Sequence, residues 1–295
     1  MAAETGVPAR PFPIRSRGAV LISIGIAAAL AYSHLGLALG DLVPDAGGLE
    51  IARDFFSRAF SPAMSHEADW VPDGTASLPM RALRAIGRTI AFAFAAMSLA
   101  LLIGIVFGFT SSTAWWAGRP AGAETALGRF LRRGVGPAFW LASRTFIVVV
   151  RSIHELLWAL LFLVSFGLSD LAAVLSIALP YGGYLAKIFS EVVDEAPRGA
   201  AQALTAAGAS GPQTFLFGLV VRSLPDLLSY SLYRFECALR SSAVLGFFGY
   251  STVGLFIRQS FLSSYYGEVW TYLYVLIAVI LVFDVWSGAI RRRMV

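Results

Sequence analysis

The chain has 295 residues, of which 57% are apolar and 14% charged, with a formal net charge of +5 at pH 7. This composition fits a polytopic membrane protein far better than a soluble globular one. The positive charge does not indicate nucleic-acid binding, because the arginines form short clusters beside apolar runs, as in the cytoplasmic loops of membrane proteins. The single cysteine, Cys237, excludes an internal disulfide and a thiolate metal cluster.

The first predicted span is the apolar run from Ala19 to Leu39, which follows a polar tail with Arg10, Arg15 and Arg17. An arginine followed by an apolar run is also typical of a signal peptide, whose apolar region is usually about 7–15 residues long. This run is long enough for the roughly 20 residues that a bilayer core requires. We therefore predict an uncleaved first helix with its N-terminus in the cytoplasm.

An acidic segment follows from Gly40 to Pro79 and is predicted to lie outside, with a short surface helix over Asp54–Phe60. The second span is predicted over about 85–109, and four arginines place the next loop inside: Arg119, Arg129, Arg132 and Arg133. The later spans are predicted from Pro137 to about Phe166, from Asp170 to about Val193, from about Asp226 to Phe248 and from Val269 to about Ile290. Pro180 and Gly182–Gly183 are expected to interrupt the fourth span, because proline removes a helix hydrogen bond.

Arginine counts on the two sides give a consistent orientation. The predicted inside holds the N-terminal arginines, the four of the second loop, Arg198, Arg222 and the terminal three, and the predicted outside holds Arg53, Arg58, Arg81, Arg84 and Arg258. We therefore predict an all-α polytopic membrane protein with six transmembrane helices and both termini in the cytoplasm. The sequence has no long internal repeat, which argues against the inverted-repeat folds of many secondary transporters.

Two predicted spans carry ionisable side chains, which are costly at bilayer depth unless they are paired or face water. In the third span, one helix face holds Arg144, Arg151, Glu155 and Trp158. Arg151 and Glu155 are one turn apart and can pair. In the fifth span, adjacent stripes hold Ser229, Tyr233, Glu236 and Arg240, and Tyr230, Arg234, Cys237 and Ser241. Glu236 and Arg240 are again one turn apart.

These charges have two interpretations, and the sequence leaves both open. They can be structural ion pairs that tie helices together. Alternatively the arginines, chiefly Arg151 and Arg234, favour an anion in transit, because the guanidinium fork matches phosphate-like oxygens. His154 can be a proton relay or a simply hydrogen-bonded side chain. Lys187 is expected to pair with Glu191 at the inner end of the fourth span.

The sequence carries no motif for chemistry of its own. H-E-x-x-H, G-x-S-x-G and the phosphate-binding G-x-x-x-x-G-K-[ST] are all missing. Its only lysine, Lys187, stands between Ala186 and Ile188 and cannot complete the last motif. We therefore expect the chain not to be an enzyme and to bind no metal or cofactor. Energy for any transport would come from a partner protein or from an ion gradient.

The loop from Asp194 to Pro225 is predicted to lie inside and to contain two helical pieces. Ala200 to Ala207 can form a short helix that ends at Gly208, a residue typical of helix C-termini. Pro212 can begin a second helix with Phe215, Leu216 and Leu219 on one side. Such an element beneath the membrane is suited to mechanical contact with a soluble partner, although an ordinary solvated loop has a similar pattern.

At this point the sequence resembles the membrane-spanning permease subunits of bacterial binding-protein-dependent ABC importers, most of all the phosphonate-type branch. The resemblance covers roughly residues 80–292. It is carried by four segments in the order found in the family: Arg151–Leu160 (RSIHELLWAL), Ala206–Ser210 (AAGAS), Leu228–Glu236 (LSYSLYRFE) and Arg240–Gly246 (RSSAVLG). Residues 80–295 would then form a permease core, and residues 1–79 an N-terminal tail, an extra first helix and an external acidic loop.

The resemblance implies a type I ABC importer permease with a MetI-like core in the bacterial inner membrane. It further implies a homodimer of permease chains, two cytoplasmic ATPase subunits that bind ATP and Mg²⁺ and grip residues 196–212, and an external substrate-binding protein. The implied ATPase-coupling residues are Ala200, Gln202, Ala203, Leu204, Ala207, Gly208 and Ala209. The implied external gate is Gly249, Tyr250 and Gly254. The expected translocation path is Arg151, Glu155, Trp158, Tyr233, Arg234, Glu236, Arg240 and Ser241.

The chain departs from the family pattern at several positions. Gln202 replaces a glutamate of the coupling motif, Val221 a later proline, and His154 a residue that is typically proline. The glycine-rich segment after the fifth helix is bulkier here, as Gly249–Gly254 (GYSTVG). The leading substrate is phosphonate or a related phosphorus oxyanion. The alternatives are a proton-coupled secondary transporter, an ABC permease for an unrelated small solute, and a membrane scaffold subunit without a path.

Overall fold

The computed structural model describes residues 15–36, 39–42, 45–68, 71–72, 74–117 and 135–294. In this part of the chain the regular elements are helical. They are α1 (Arg15–His34), α2 (Ala46–Ser57), α3 (Leu78–Ser111), α4 (Thr113–Ala117), α5 (Gly136–Ser152), α6 (Glu155–Phe166), α7 (Asp170–Glu195), α8 (Gly199–Ala206), α9 (Gly211–Phe248), α10 (Val253–Leu262) and α11 (Tyr266–Met294). Short 3₁₀ turns lie at Leu39–Leu42 and Arg58–Phe60. The chain divides into one compact unit up to Phe56 and a second from Ser57 onward.

Four helices of the described chain are long and apolar enough to cross a membrane: α3, α7, α9 and α11. The bent pair of α5 and α6 gives a fifth crossing if it is counted as one span. In α1 the described apolar stretch, Gly18–His34, is shorter than these spans. The all-helical membrane fold is thus confirmed, whereas the number of six spans stays a prediction.

Several predicted boundaries shift in the structure. Helix α3 begins at Leu78 instead of about residue 85, because Pro79 is tolerated in the first turn of a helix. The predicted surface helix over 54–60 falls on the end of α2 and the following 3₁₀ turn. The segment between the last two spans contains a helix that was not predicted, α10. The arginine-rich loop over 119–133 lies outside the described residues.

The third predicted span is not one continuous helix. Helix α5 ends at Ser152, Ile153 and His154 are extended, and α6 leaves at 92° to α5. His154 begins the new helix by accepting a hydrogen bond at Nδ1 from the Leu156 amide, 3.3 Å away. This cap satisfies one of the backbone donors that a helix start leaves free, so the prediction of an unbroken helix over 137–166 was wrong.

Helix α7 was predicted to be interrupted at Pro180, but it runs unbroken through that residue. The neighbouring glycines serve close packing instead of a break. A Cβ on Gly182 would lie 2.6 Å from Ile103 Cγ2, and one on Gly183 would lie 2.5 Å from Val150 Cγ2. Only glycine therefore lets α3 and α5 approach α7 this closely, as small residues do between membrane helices.

The core of the second unit lies where α3 packs along α7. Small residues of α3 meet the buried face of α7, and a Cβ on Gly104 would lie 2.7 Å from Leu185 Cβ. Because the two backbones are so close, the positions of α7 side chains are set with little freedom. This contact positions Tyr184, next to Leu185, and Tyr181, one turn earlier, so that their hydroxyls reach α5 and α9.

Candidate functional site

The broken helix brings polar groups of α5 and α6 against α7. The carbonyls at the end of α5 lack helical partners, and two side chains satisfy them. Trp158 Nε1 donates to the Val150 carbonyl at 3.1 Å, and the Tyr184 hydroxyl donates to the Arg151 carbonyl at 3.3 Å. The bend is therefore held by side chains of α6 and α7, and it places Glu155 at the first position of α6.

Glu155 takes part in a hydrogen-bond chain that joins three helices. The Ser241 hydroxyl of α9 donates to Glu155 Oε1 at 2.9 Å. The Tyr181 hydroxyl of α7 lies 2.9 Å from Ser241 Oγ, and it must be the donor there because the serine proton is already given to Glu155. His154 Nε2 lies 3.6 Å from Glu155 Oε2. The carboxylate thus fixes α6, α7 and α9 relative to one another.

Arg234, half-buried on α9, is held by tyrosines. Its Nε donates to the Tyr230 hydroxyl at 2.8 Å. Its guanidinium carbon lies 4.3 Å from the centroid of the Tyr184 ring and 5.7 Å from that of Tyr181. Aromatic faces attract a cation but do not neutralise it. Among the described side chains, no carboxylate lies within ion-pair distance of Arg234, so this span carries a cation whose charge is not compensated.

Two of the three pairs that one-turn spacing suggested, Arg151 with Glu155 and Glu236 with Arg240, do not form. The break after Ser152 carries Glu155 away from Arg151, whose Nε is buried without a hydrogen-bond partner. Glu236 is 7% exposed and pairs with Arg291 of α11, Nη2 to Oε1 3.2 Å, and it also accepts a hydrogen bond from Ser287. Arg240 is exposed, and its Nη2 donates to Cys237 Sγ at 3.7 Å.

The predicted polar seam therefore divides into two parts. Glu155, Trp158, Arg234 and Ser241 do come together with Arg151 around α7. Glu236 faces α11 instead, and Tyr233 is 46% exposed beside Tyr230. The predicted pair of Lys187 with Glu191 is confirmed at 3.3 Å.

Sequence reasoning missed the residues that α7 and α11 contribute. Tyr181 and Tyr184 flank the glycine pair of α7. In the sequence, two tyrosines beside a pair of glycines could have indicated polar side chains at a close helix contact. Arg291 was assigned only to the terminal positive cluster. No set of three His, Cys, Asp or Glu side chains in the described ranges is arranged to hold a metal.

The short helix predicted over 200–207 is confirmed as α8. Gly208 ends it with φ of +85°, and the Ala209 amide closes the turn on the Leu204 carbonyl at 3.0 Å. Ala201 is buried against Gly218, where a Cβ would lie 2.8 Å from the Ala201 Cα. The opposite face is exposed and carries the other predicted residues of this helix: Ala200, Gln202 and Ala203, with Ala207 and Gly208 just beyond it. Leu204 and Ala209 are partly buried.

The helix that follows begins at Gly211 with Pro212 in its first turn, as predicted, and Ser210 and Gln213 form a capping box. It does not stop at Pro225. Thr214–Val220 is a π-helical turn, and α9 continues through Pro225 to Phe248, so the prediction of a separate span from about Asp226 was wrong. Because α8 packs on this π turn through Ala201 and Gly218, a movement of α8 can pass into the spanning part of α9 without a loop at Pro225.

The segment Gly249–Gly254 is packed tightly. Gly249 has φ of +100°, which favours glycine. Tyr250 is 3% exposed with its hydroxyl unpartnered, and burial raises the pKa of that phenol. The Val253 amide donates to Thr89 Oγ1 of α3 at 3.1 Å, and a Cβ on Gly254 would collide with the Ala243 carbonyl. These contacts join the start of α10 to α3 and α9.

Comparisons with known proteins agree with this architecture. Residues 117–295 match the model of the family "Binding-protein-dependent transport system inner membrane component". The phosphate-import permease protein PhnE of Mycolicibacterium smegmatis is 30% identical over 159 residues, 54% of this chain and 30% of that protein. The phosphite transport system permease protein PtxC of Stutzerimonas stutzeri is 25% identical over 279 residues, 95% of this chain and 90% of that protein.

Solved structures share the fold at low identity. A chain of an amino acid ABC transporter matches with a TM-score of 0.58 at 17% identity, covering 72% of this chain and 94% of that chain. A chain of the MetNI methionine ABC transporter in an inward-facing conformation matches with a TM-score of 0.56 at 18% identity, covering 73% of this chain and 97% of that chain. With a family match over more than half of its length and this fold, the chain belongs to the inner membrane components of binding-protein-dependent transport systems.

Proposed function

We propose that the chain is the transmembrane subunit of an ATP-driven importer and forms the translocation path for a small oxyanion, with phosphonate or a related phosphorus oxyanion as the leading substrate. The observation that carries this proposal is Arg234, a cation in a spanning helix that is held by tyrosines and by no described carboxylate.

The energetics favour an anion at this position. A cation within a span costs several kcal/mol unless it is paired or hydrated. Contact with aromatic faces offsets about 2 kcal/mol when the site is desolvated. A passing oxyanion would offset more, because the free N–H donors of a guanidinium bind phosphate-like oxygens with two parallel hydrogen bonds. The names of the relatives, a phosphate-import permease and a phosphite permease, fit the same class of anion.

We assign the energy source to partner subunits. The sequence lacks a phosphate-binding loop, so two ATPase subunits carrying ATP and Mg²⁺ would hydrolyse the nucleotide. The exposed face of α8, with Ala200, Gln202 and Ala203, is the proposed docking surface, which makes α8 the coupling helix. A second copy of the chain and an external substrate-binding protein would complete the complex. Both termini would face the cytoplasm, and Gly249, Tyr250 and Gly254 would lie at the external gate.

The second candidate is a proton-coupled secondary transporter, favoured by the contact of His154 with Glu155, 3.6 Å apart beside the arginines. The two functions differ in what they require. A secondary transporter needs this chain alone and a proton gradient. An importer permease needs its ATPase, ATP and a binding protein loaded with substrate.

Reconstitution of the purified chain into lipid vesicles tests the proposal directly. We expect no uptake of phosphite or methylphosphonate under a proton gradient by the chain alone. ATP-dependent uptake is expected once the cognate ATPase and binding protein are added. Gradient-driven uptake by the chain alone would establish the secondary transporter. ATP-driven uptake of an uncharged solute but of none of these anions would move the assignment to an unrelated substrate.

A further inference from the structure

The end of α7 is fastened to the junction of α3 and α4 through one carboxylate. Asp194 Oδ1 accepts hydrogen bonds from Ser112 Oγ at 2.6 Å and from the Ala114 amide at 2.9 Å. Its Oδ2 accepts from the Thr113 amide at 3.0 Å. Ser112 is fully buried and Ala114 is 6% exposed, so their two bonds are partly shielded from water, whereas the bond from the Thr113 amide is exposed. Asp194 therefore holds three consecutive residues just beyond α3.

The same residue is also tied to the coupling helix. Arg198, which immediately precedes α8, donates from Nη2 to the Asp194 carbonyl at 2.8 Å. A second contact runs beside it, because Trp115 of α4 packs edge-on against Phe215 of the π turn with ring centroids 5.0 Å apart. Phe109 of α3 packs on the same ring at 5.5 Å. The start of α8, the π turn of α9 and the end of α3 thus converge on Asp194 and Phe215.

Helix α3 packs along nearly the whole of α7 and reaches the segment after α9 through Thr89. A displacement delivered at α8 can bend the chain at residues 196–198, which are not helical, or it can move α3 with it. The aromatic contact resists separation but is not directional, whereas three hydrogen bonds to one carboxylate fix both distance and orientation.

We propose that Asp194 is a positioning residue that makes α3 follow the movement of the coupling helix. This inference rests on the proposed function, in which a partner ATPase moves α8. Without the carboxylate, α8 would still bind and move with the ATPase, but its movement would be lost in the hinge at 196–198. ATP would then be hydrolysed without a matching amount of transport.

The decisive variant is Asp194→Asn. Asparagine has the same shape as aspartate, but its NH₂ group is a donor and cannot accept the hydrogen bonds that one carboxylate oxygen accepts in the parent chain. Ser112→Ala removes one of the three bonds and leaves the carboxylate in place. Glu195→Gln is the matched control, because Glu195 is the adjacent, exposed carboxylate of the same helix turn. All three are made in the full complex of permease, ATPase and binding protein in vesicles.

We expect Asp194→Asn to raise the number of ATP molecules hydrolysed per substrate imported about fivefold, as for the loss of roughly 1 kcal/mol of coupling. Ser112→Ala should give a smaller rise and Glu195→Gln none, with equal ATPase co-purification throughout. An unchanged ratio in Asp194→Asn overturns the inference. If that variant does not assemble, Ser112→Ala decides, and an unchanged ratio there overturns it as well.

Hydrogen exchange of the purified permease separates this inference from the proposed function. In Asp194→Asn the Thr113 and Ala114 amides should exchange faster than in the parent chain, whether or not any anion is transported. Failure of the parent complex to import anions would count against the proposed function alone. Unchanged exchange at these two amides would count against the role of Asp194 alone.

Discussion

At the scale of single residues, burial decides the charge partner of Glu236, whereas one-turn spacing correctly predicted the more exposed pair of Lys187 with Glu191. Glu236 is 7% exposed and takes Arg291 from a different helix, while Arg240, one turn away, stays exposed. A buried carboxylate must be paired, whereas an exposed arginine is already hydrated. Spacing in the sequence identified the polar positions correctly, but it could not identify Arg291 as the partner of Glu236 or Tyr184 as a contact of Arg234, because these two residues lie on α11 and α7.

Replacement of Arg234 by glutamine tests the anion path at this scale. We expect Arg234→Gln to lower ATP-driven uptake of phosphite at least about tenfold, since charge-assisted hydrogen bonds of about 1.5–3 kcal/mol are removed from the anion. Assembly with the ATPase should be unchanged. Arg222→Gln, an exposed arginine of the same helix that lies outside the expected path, is the control and should transport like the parent. Loss of the assembled complex in Arg234→Gln would favour a purely structural role for the arginine.

A second residue-scale prediction concerns the pair of Glu236 and Arg291. Arg291→Gln leaves a buried carboxylate without its cation, which costs about 3 kcal/mol and should lower the Tm of the detergent-solubilised protein by about 5–10 °C. The double variant Glu236→Gln with Arg291→Gln should recover at least half of that loss, because no charge then remains unpaired. Arg292→Gln, an exposed neighbour, is the control. A double variant as unstable as the single one would contradict the pairing argument.

At the scale of elements, the helices follow from apolar runs, but their breaks and continuities do not. Pro180 and Pro225 both lie inside unbroken helices, and the 92° bend occurs at Ile153–His154, where no proline stands. Contacts with other helices accompany both features. The glycines of α7 pack closely against α3 and α5 where α7 stays unbroken, and Trp158 and Tyr184 donate hydrogen bonds to the carbonyls that the bend leaves free. The short helix α8 was predictable because its alanines and Gly208 are local signals.

The packing of α8 on the π turn gives an element-scale prediction. Gly218→Ala places a methyl group 2.8 Å from the Ala201 Cα, and backbone cannot yield as a flexible side chain can. We expect α8 to shift, so that co-purification of the ATPase and substrate-stimulated ATP hydrolysis both fall. Gly199→Ala in α8 itself is the control, because a Cβ there meets nothing within 4 Å. Equal ATPase binding by the two variants would contradict the assignment of α8 as a rigid docking surface.

At the scale of the whole second unit, α11 is fastened by buried carboxylates at two places. Glu236 binds α11 near its C-terminal end through Arg291. Glu268, in the first turn of α11, accepts a hydrogen bond from the Glu67 amide. Neither role follows from the sequence, in which both glutamates simply stand near apolar runs. The four matching segments indicated the family and therefore the fold, but they do not show that Glu236, which ends one of them, pairs with Arg291, or that Glu268 binds the Glu67 amide.

The segment of residues 59–67 lies along the start of α11 and should be released more often when Glu268 is removed. Glu268 Oε1 accepts from the Glu67 amide at 3.0 Å, and its Oε2 accepts from Ser260 Oγ at 2.7 Å. The segment is also held by the Ala63 amide on the Gly267 carbonyl and by the Tyr274 hydroxyl on the Ala59 carbonyl. Without the carboxylate, the end of the segment near Glu67 opens more frequently while the spans stay packed.

We therefore expect Glu268→Ala to accelerate limited proteolysis between residues 61 and 77 about fivefold, because losing roughly 1 kcal/mol raises the population of the open segment by that factor. Arg258→Ala, an exposed position on α10 close to Ser260, should leave the rate unchanged. The Tm should fall far less in Glu268→Ala than in Arg291→Gln, because the segment is peripheral and the Arg291 pair lies between two spans. Equal cleavage rates in Glu268→Ala and the parent would mean that the hydrogen bonds to Gly267 and Tyr274 hold the segment without the carboxylate.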